Sequence, residues 1–254
     1  MKIIILNFFL IIGLVAFSQE NYEIQVYGAE TMAKNTTIFE LHSNYTGKGS
    51  RAITNGVLPS NHAFHETIEI THGFSDNFEL GFYLFNAIGD NNRTGFVGTH
   101  IRPRIRVPEK WNWPVGISLS TELGFQNLAY SEDDWSLEIR PIIDKQFNKF
   151  YVSFNPVFDK SLHGLNKNQK PGFSPNLKAS YDFSKKVAAG FEYYGSLGTL
   201  GNFVPFSSQD HCLFFATDLD LDPRWEFNFG YGVGLNTKTD AGIFKMILGY
   251  RLIK

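Results

Sequence analysis

Twelve charged residues recur at a spacing that could give them one shared chemistry. Glu69, Glu79, Glu122, Glu138, Glu192 and Glu226 each alternate with apolar neighbours, as do Arg102, Arg104, Arg140, Lys178, Lys245 and Arg251. On a strand, side chains two residues apart point the same way. These twelve would therefore collect on one side of a sheet, lining whatever that side encloses. Two uses fit. A charged wall around a passage screens solutes by sign. Alternatively, the acids and bases pair, satisfy one another and fill a narrow interior. The equal numbers favour pairing. The run Arg102-Pro103-Arg104-Ile105-Arg106 puts three bases on one strand, suited to an anion or to acids on neighbouring strands.

Other chemistry-bearing residues are less well disposed. His62 and His65, with His72 and His100 nearby, suggest a metal site, but a spacing of three sends His62 and His65 to opposite faces of a strand. Adjacent His42 and Ser43 diverge in the same way, and Gly195-Ser196-Leu197-Gly198 lacks the glycine spacing of a nucleophile elbow. The single cysteine, Cys212, can form neither an internal disulfide nor a thiolate metal framework. The expectation is a non-enzymatic protein with no catalytic, cofactor-binding or metal-ligating set, and no cofactor.

Strands must position the twelve charges. In Trp225 to Asn236, Trp225, Phe227, Phe229, Tyr231, Val233 and Leu235 share one face, while Glu226, Asn228, Gly230, Gly232, Gly234 and Asn236 share the other. That period of two marks a strand. The same alternation runs through 78–85, 115–125, 150–158 and 244–252. Twelve strands are expected, near 36–46, 63–74, 78–87, 96–106, 113–125, 134–143, 149–158, 175–183, 187–195, 210–219, 224–236 and 242–253. Pro103, Pro141 and Pro156 fall inside three of them, where they cannot donate to a ladder. Connections alternate in length. Tight turns at 75–77, 145–148, 184–186 and 221–223 alternate with Gly-, Asn- and Ser-rich segments such as 47–62, 159–174 and 196–209.

The chain has 254 residues, a net charge of −2 and only 19% charged residues, which argues against both a nucleic-acid partner and disorder. It carries 25 Phe, 11 Tyr, 4 Trp and 23 Gly. Lys2, the apolar run Ile3 to Val15 and the small residues Ala16 and Ser18 form a secretory leader with cleavage after Ser18. No later apolar run is long enough for a membrane helix. Export, an even strand number, alternating connections and aromatic residues near strand ends (Phe74, Trp113, Trp135, Phe183, Trp225) together imply an all-β fold: an antiparallel transmembrane β-barrel of the bacterial outer membrane. Its short turns would be periplasmic and its longer loops external. The expected division is a signal peptide at 1–18, a short N-terminal segment at 19–35 and the barrel at 36–254.

The run Glu66-Thr67-Ile68-Glu69-Ile70-Thr71-His72-Gly73-Phe74-Ser75-Asp76-Asn77-Phe78-Glu79-Leu80-Gly81 is a strand, a tight turn and a strand. In this form it resembles the outer-membrane barrels labelled "MetA-pathway of phenol degradation". The last strand, with Gly249, Tyr250 and Leu252, resembles a barrel assembly signal, although it ends in Lys254 rather than an aromatic residue. The resemblance implies passage or binding of small solutes, aromatic or hydrophobic compounds among them. A structural or surface-interaction barrel with a closed, charge-paired lumen is the alternative, and a lipid-hydrolysing barrel a third reading. The expected partners are outer-membrane lipid, the barrel assembly machinery and an unidentified small solute. With symmetric loops, Glu79 would face Arg102, Glu122 would face Arg140 and Glu226 would face Arg251. Gly230, on the inward face, should accept a serine.

The mature protein should partition with outer-membrane vesicles and migrate differently on gels before and after boiling. Recovery in the soluble periplasmic fraction without detergent would contradict the barrel.

Overall fold

The computed structural model describes residues 21–90 and 93–252. The leader, its cleavage position and Lys254 lie outside the described residues. Twelve long strands form one antiparallel sheet: β1 (Thr37–Lys48), β2 (Ala63–Ser75), β3 (Phe78–Ile88), β4 (Thr94–Arg106), β5 (Gly116–Gln126), β6 (Trp135–Phe147), β7 (Phe150–His163), β8 (Gly172–Ser184), β9 (Val187–Ser196), β12 (Asp210–Leu219), β13 (Trp225–Gly234) and β14 (Ala241–Leu252). Sequence neighbours pair in order, β9 pairs with β12, and β1 pairs with β14 from Thr37↔Leu252 to Lys48↔Ala241. The twelve long strands therefore close into a barrel, and among the described residues none of the twelve is left as an open edge.

Two short strands, β10 (Gly198–Thr199) and β11 (Asn202–Phe203), form a small hairpin between β9 and β12. Elements of two residues carry no period, so alternation does not reveal them. Boundaries also shift. β5 begins at Gly116 rather than 113, β8 begins at Gly172 rather than 175, and β13 ends at Gly234 rather than 236.

The faces follow the alternation. In β13 Asn228, Gly230 and Gly232 are buried while Trp225, Tyr231 and Val233 are exposed. In β5 Ser118, Ser120 and Glu122 are buried while Leu119 and Leu123 are exposed. Apolar side chains outside and polar ones inside suit a barrel whose external solvent is hydrocarbon. Pro103 faces Leu80 of β3, while the other in-strand prolines fit because they coincide. Pro141 sits between the ladder pairs Ile139↔Phe158 and Ile143↔Phe154, and Pro156 on the neighbouring strand faces Pro175 of β8. Their missing donors thus fall in one row.

All the tight turns gather at one end, with the start of β1 and the end of β14. The longer loops gather at the other. Exposed Phe74, Trp113, Phe183 and Trp225 ring the turn end, and Trp135 packs on Phe125 at 5.6 Å at the loop end. One inward position differs from expectation. A Cβ on Gly230 would lie 2.9 Å from the Phe215 carbonyl oxygen and 3.2 Å from Lys245 Cε, so a serine there is crowded.

Phe229 sits mid-strand with its ring outward, paired with Met246 and Thr217. In a bilayer Phe229→Arg should cost about 2–4 kcal/mol, whereas Phe229→Leu should be nearly neutral by urea titration. Equal losses for the two would place Phe229 on the wrong face.

Candidate functional site

Residues 21–36 join no strand. They run through the barrel interior from the loop end to the turn end, and inward side chains satisfy their backbone. At the loop end Asn21 Nδ2 donates to Asp240 at 3.2 Å, and Asn44 Nδ2 donates to the Asn21 carbonyl at 2.9 Å. Deeper in, Thr67 Oγ1 donates to the Tyr22 carbonyl at 2.7 Å and Lys245 Nζ to the Ile24 carbonyl at 3.1 Å. At the middle, Asn155 brackets Tyr27. Its Oδ1 accepts from Tyr27 N–H at 2.7 Å, and its Nδ2 donates to the Tyr27 carbonyl at 3.0 Å, which Ser153 Oγ also reaches at 2.6 Å. Towards the turn end, Asp144 accepts from Ala29 N–H at 2.8 Å, and Arg104 donates to the Glu30 carbonyl at 2.7 Å. A backbone crossing a barrel without a partner strand would otherwise leave its polar groups unpaired.

The segment then leaves past Gly73. Asn35 takes a left-handed φ of 62°, and its N–H donates to the Gly73 carbonyl at 2.7 Å. A Cβ on Gly73 would lie 2.3 Å from the carbonyl oxygens of both Met32 and Ala33, so only glycine admits this close approach. Gly73 belongs to the Thr71-His72-Gly73-Phe74 run that carries the family resemblance.

Apolar side chains seal the segment against three walls. Tyr22 packs with Tyr83, Phe85, Ala87 and Val97. Ile24 and Val26 pack with Tyr194, Cys212, Phe214 and Ile243. Tyr27 and Ala29 pack with Ile142. The Tyr27 ring also lies among three guanidiniums, with Arg102, Arg104 and Arg140 at 5.0, 5.3 and 5.0 Å from its centre. Such cation–π contacts strengthen once water is excluded. The Tyr27 hydroxyl bonds to Glu23, and it lies 2.9 Å from the Tyr83 hydroxyl.

The twelve charges of the alternation all face this interior, eleven of them in four groups and Glu122 apart. Arg102 bridges Glu69 at 2.6 Å and Glu79 at 2.9 Å, and Arg104 meets Glu79 at 2.8 Å. Arg140 holds Glu138 at 2.7 Å and Glu23 at 3.5 Å. Lys178 spans Glu192 at 3.3 Å and Asp218 at 2.8 Å, and Lys245 also pairs with Glu192. Arg251 pairs with Glu226. Glu122 turns to His100 at 3.2 Å.

The expected registers are each wrong by two residues. Glu79 faces Arg104, Glu122 faces Glu138, and Glu226 faces Gly249. Two of the three pairs form nonetheless, because a guanidinium on a long stem reaches the diagonal neighbour. The Glu122–Arg140 pair does not, since Arg140 is drawn to Glu138 on its own strand. Arg106, third of its cluster, meets Glu109 at 2.8 Å near the turn-end surface.

The histidines do not converge. His62 is exposed, and His65 is inward, edge-on to Tyr22 at 4.8 Å. His72 bonds Thr37 at 2.8 Å, and His100 holds Glu122. His42 is buried, and Ser43, on the other face, donates to Glu66 at 2.6 Å. Alternation missed Tyr27 and Glu23, which lie outside any strand. It also missed Glu40, His42 and Asp218, which the inward parity of β1 and β12 would have disclosed.

Two large cavities flank the segment. The loop-end cavity is about 1110 Å³ and is lined by Tyr22, Arg51, Arg93 and Asp240 among others. The turn-end cavity is about 650 Å³ and is lined by Tyr27, Glu79, Arg104 and Arg251 among others. They share no lining residue. A small cavity of about 130 Å³ lies beside Glu23, Arg140 and Glu138. The arrangement can hold small solutes at either end but is divided at Tyr27.

No family model and no curated protein matches the sequence. Solved structures do. A COG4313 outer membrane channel from Pseudomonas putida F1 superposes with a TM-score of 0.61 at 12% identity, over 90% of this chain and 99% of that one. The fold is that of outer-membrane channel barrels. The KdgM porin gives a TM-score of 0.55 at 12% identity, and the NanC porin 0.53 at 7%, each over 85% of this chain and 99% of its own. These neighbours are channels and porins rather than enzymes.

Arg102 is 2% exposed and carries two carboxylates. Arg102→Met should leave Glu69 without a guanidinium, while Glu79 keeps Arg104, and lower stability by about 3–5 kcal/mol. Adding Glu69→Gln should recover much of that loss in a urea titration. No recovery would show that the charges do not act as a group.

Proposed function

We propose that this protein is a channel of the bacterial outer membrane, exported by its N-terminal leader, for small solutes, with aromatic or hydrophobic compounds among them. Residues 21–36 form its internal barrier. The observation that carries this reading is the division of one lumen into two cavities by a segment held at Tyr27. A channel needs an entry chamber, a constriction and an exit chamber, and the twelve-stranded barrel supplies all three. The resemblance of the β2–β3 hairpin to the phenol-degradation barrels supports the solute class. The lumen charges act at the constriction as ion pairs that tie the segment to the wall, so selection falls to its Tyr27 and Arg102 surroundings. Outer-membrane lipid surrounds the barrel, and the assembly machinery inserts it.

A closed barrel with a structural or surface role is the second reading, favoured by the buried ion pairs that span the lumen. Conductance in planar bilayers separates the two. The full-length mature protein should show low, infrequent conductance, and deletion of residues 21–33 should raise it several-fold. A deletion barrel that migrates as folded yet stays non-conducting would favour the closed reading. Equal conductance before and after deletion would show that the segment is not the barrier.

A further inference from the structure

We propose a divalent metal site in the barrel wall, formed by Glu40 and His42 of β1 and Glu69 of β2. The first observation is an unbalanced pair of acids. Glu40 and Glu69 stand directly opposite each other in the β1–β2 ladder, and both are buried. Like charges directly opposite on adjacent strands repel, and burial removes the water that would screen them. Glu69 shares its Oε1 with Arg102 and Thr71, at 2.6 and 2.7 Å. Arg102 and Arg104 are committed to Glu69 and Glu79, which leaves Glu40 without an ion pair or hydrogen bond among the described residues. Three acids in this group therefore share two guanidiniums.

The second observation is an under-satisfied imidazole. His42 is 1% exposed, and neither of its ring nitrogens makes a hydrogen bond. Its Nε2 lies 3.4 Å from Glu69 Oε2, which is also without a hydrogen-bond partner. A buried imidazole and a buried carboxylate oxygen that face each other with their hydrogen-bonding capacity unused are costly. A shared cation would remove that cost for both.

One ligand atom from each of the three residues lies within 4.8 Å of the other two. Bonds to a common ion of about 2.0–2.2 Å would draw them together by about an ångström of side-chain rotation. One imidazole nitrogen and two carboxylate oxygens suit a borderline first-row divalent cation such as zinc, rather than a soft cation that needs thiolate. Glu40 and Glu69 both line the turn-end cavity, which gives the ion an entry path and leaves its remaining position open. Bound there, the cation ties β1 to β2 and gives the Glu40 carboxylate a partner. The site stands on wall residues alone and does not depend on the channel reading.

The test uses the full-length mature protein, free of any histidine tag, in detergent. It is equilibrated with zinc chloride, passed through gel filtration and assayed by elemental mass spectrometry. One zinc per barrel is expected. His42→Gln and Glu40→Gln should each lose it while keeping heat-modifiable migration, and His163→Gln, at an exposed histidine, should retain it. X-ray absorption on the wild-type protein should show a nitrogen and oxygen shell with one imidazole, which keeps the proposal testable if a variant fails to fold. Less than stoichiometric zinc, full retention in both His42→Gln and Glu40→Gln, or a shell without imidazole would overturn the site.

Discussion

The middle of this barrel, between its two cavities, depends on satisfying charges and backbone amides where bulk water does not reach. The outward face faces no such demand, because aliphatic and aromatic side chains need no partners. The inward face carries six acids and six bases from the alternation alone, and residues 21–36 add a stretch of backbone with no strand beside it. Each solves the other's problem. Arg104 and Lys245 neutralise carboxylates and also donate to carbonyls of the segment. Glu79 accepts from Arg102, from Arg104 and from Met32 N–H. Breaking one ion pair therefore also loosens the segment.

Tyr27 is where these solutions meet. Its backbone is held by Ser153 and Asn155, its ring by three guanidiniums and its hydroxyl by Glu23 and Tyr83. These partners come from β3, β4, β6 and β7 and from the segment itself, so the ring cannot move without disturbing four of the twelve wall strands. A barrier held this way is firm when closed. Opening it requires a concerted change rather than the rotation of one side chain.

The barrel was largely legible in the sequence because period two is a local signal. It set Asn228, Gly230 and Gly232 inward and Tyr231 and Val233 outward without reference to any other strand. Register was less legible. Glu79, Glu122 and Glu226 each sit two residues from the expected partner, because loop geometry fixes register and alternation is unchanged by a shift of two. The segment was not legible as a barrier. Its partners, Asn44, Thr67, Asp144, Asn155 and Lys245, are scattered over five strands, and nothing in residues 21–36 marks them as lying within a lumen. Glu40 was legible and was missed, and His42 was weighed only beside Ser43, although β1 has the same parity as its neighbours.

The central claim is that residues 22–33 are fixed inside the lumen by side-chain hydrogen bonds. Hydrogen–deuterium exchange of the mature protein in detergent, resolved by peptide, measures this directly. Amides of Tyr27 and Ala29 should exchange as slowly as those of β5 and β7, and markedly faster once Asn155 and Asp144 are replaced by alanine. Exchange of the 22–33 peptide at the rate of an unstructured chain in the unmodified protein would contradict the account.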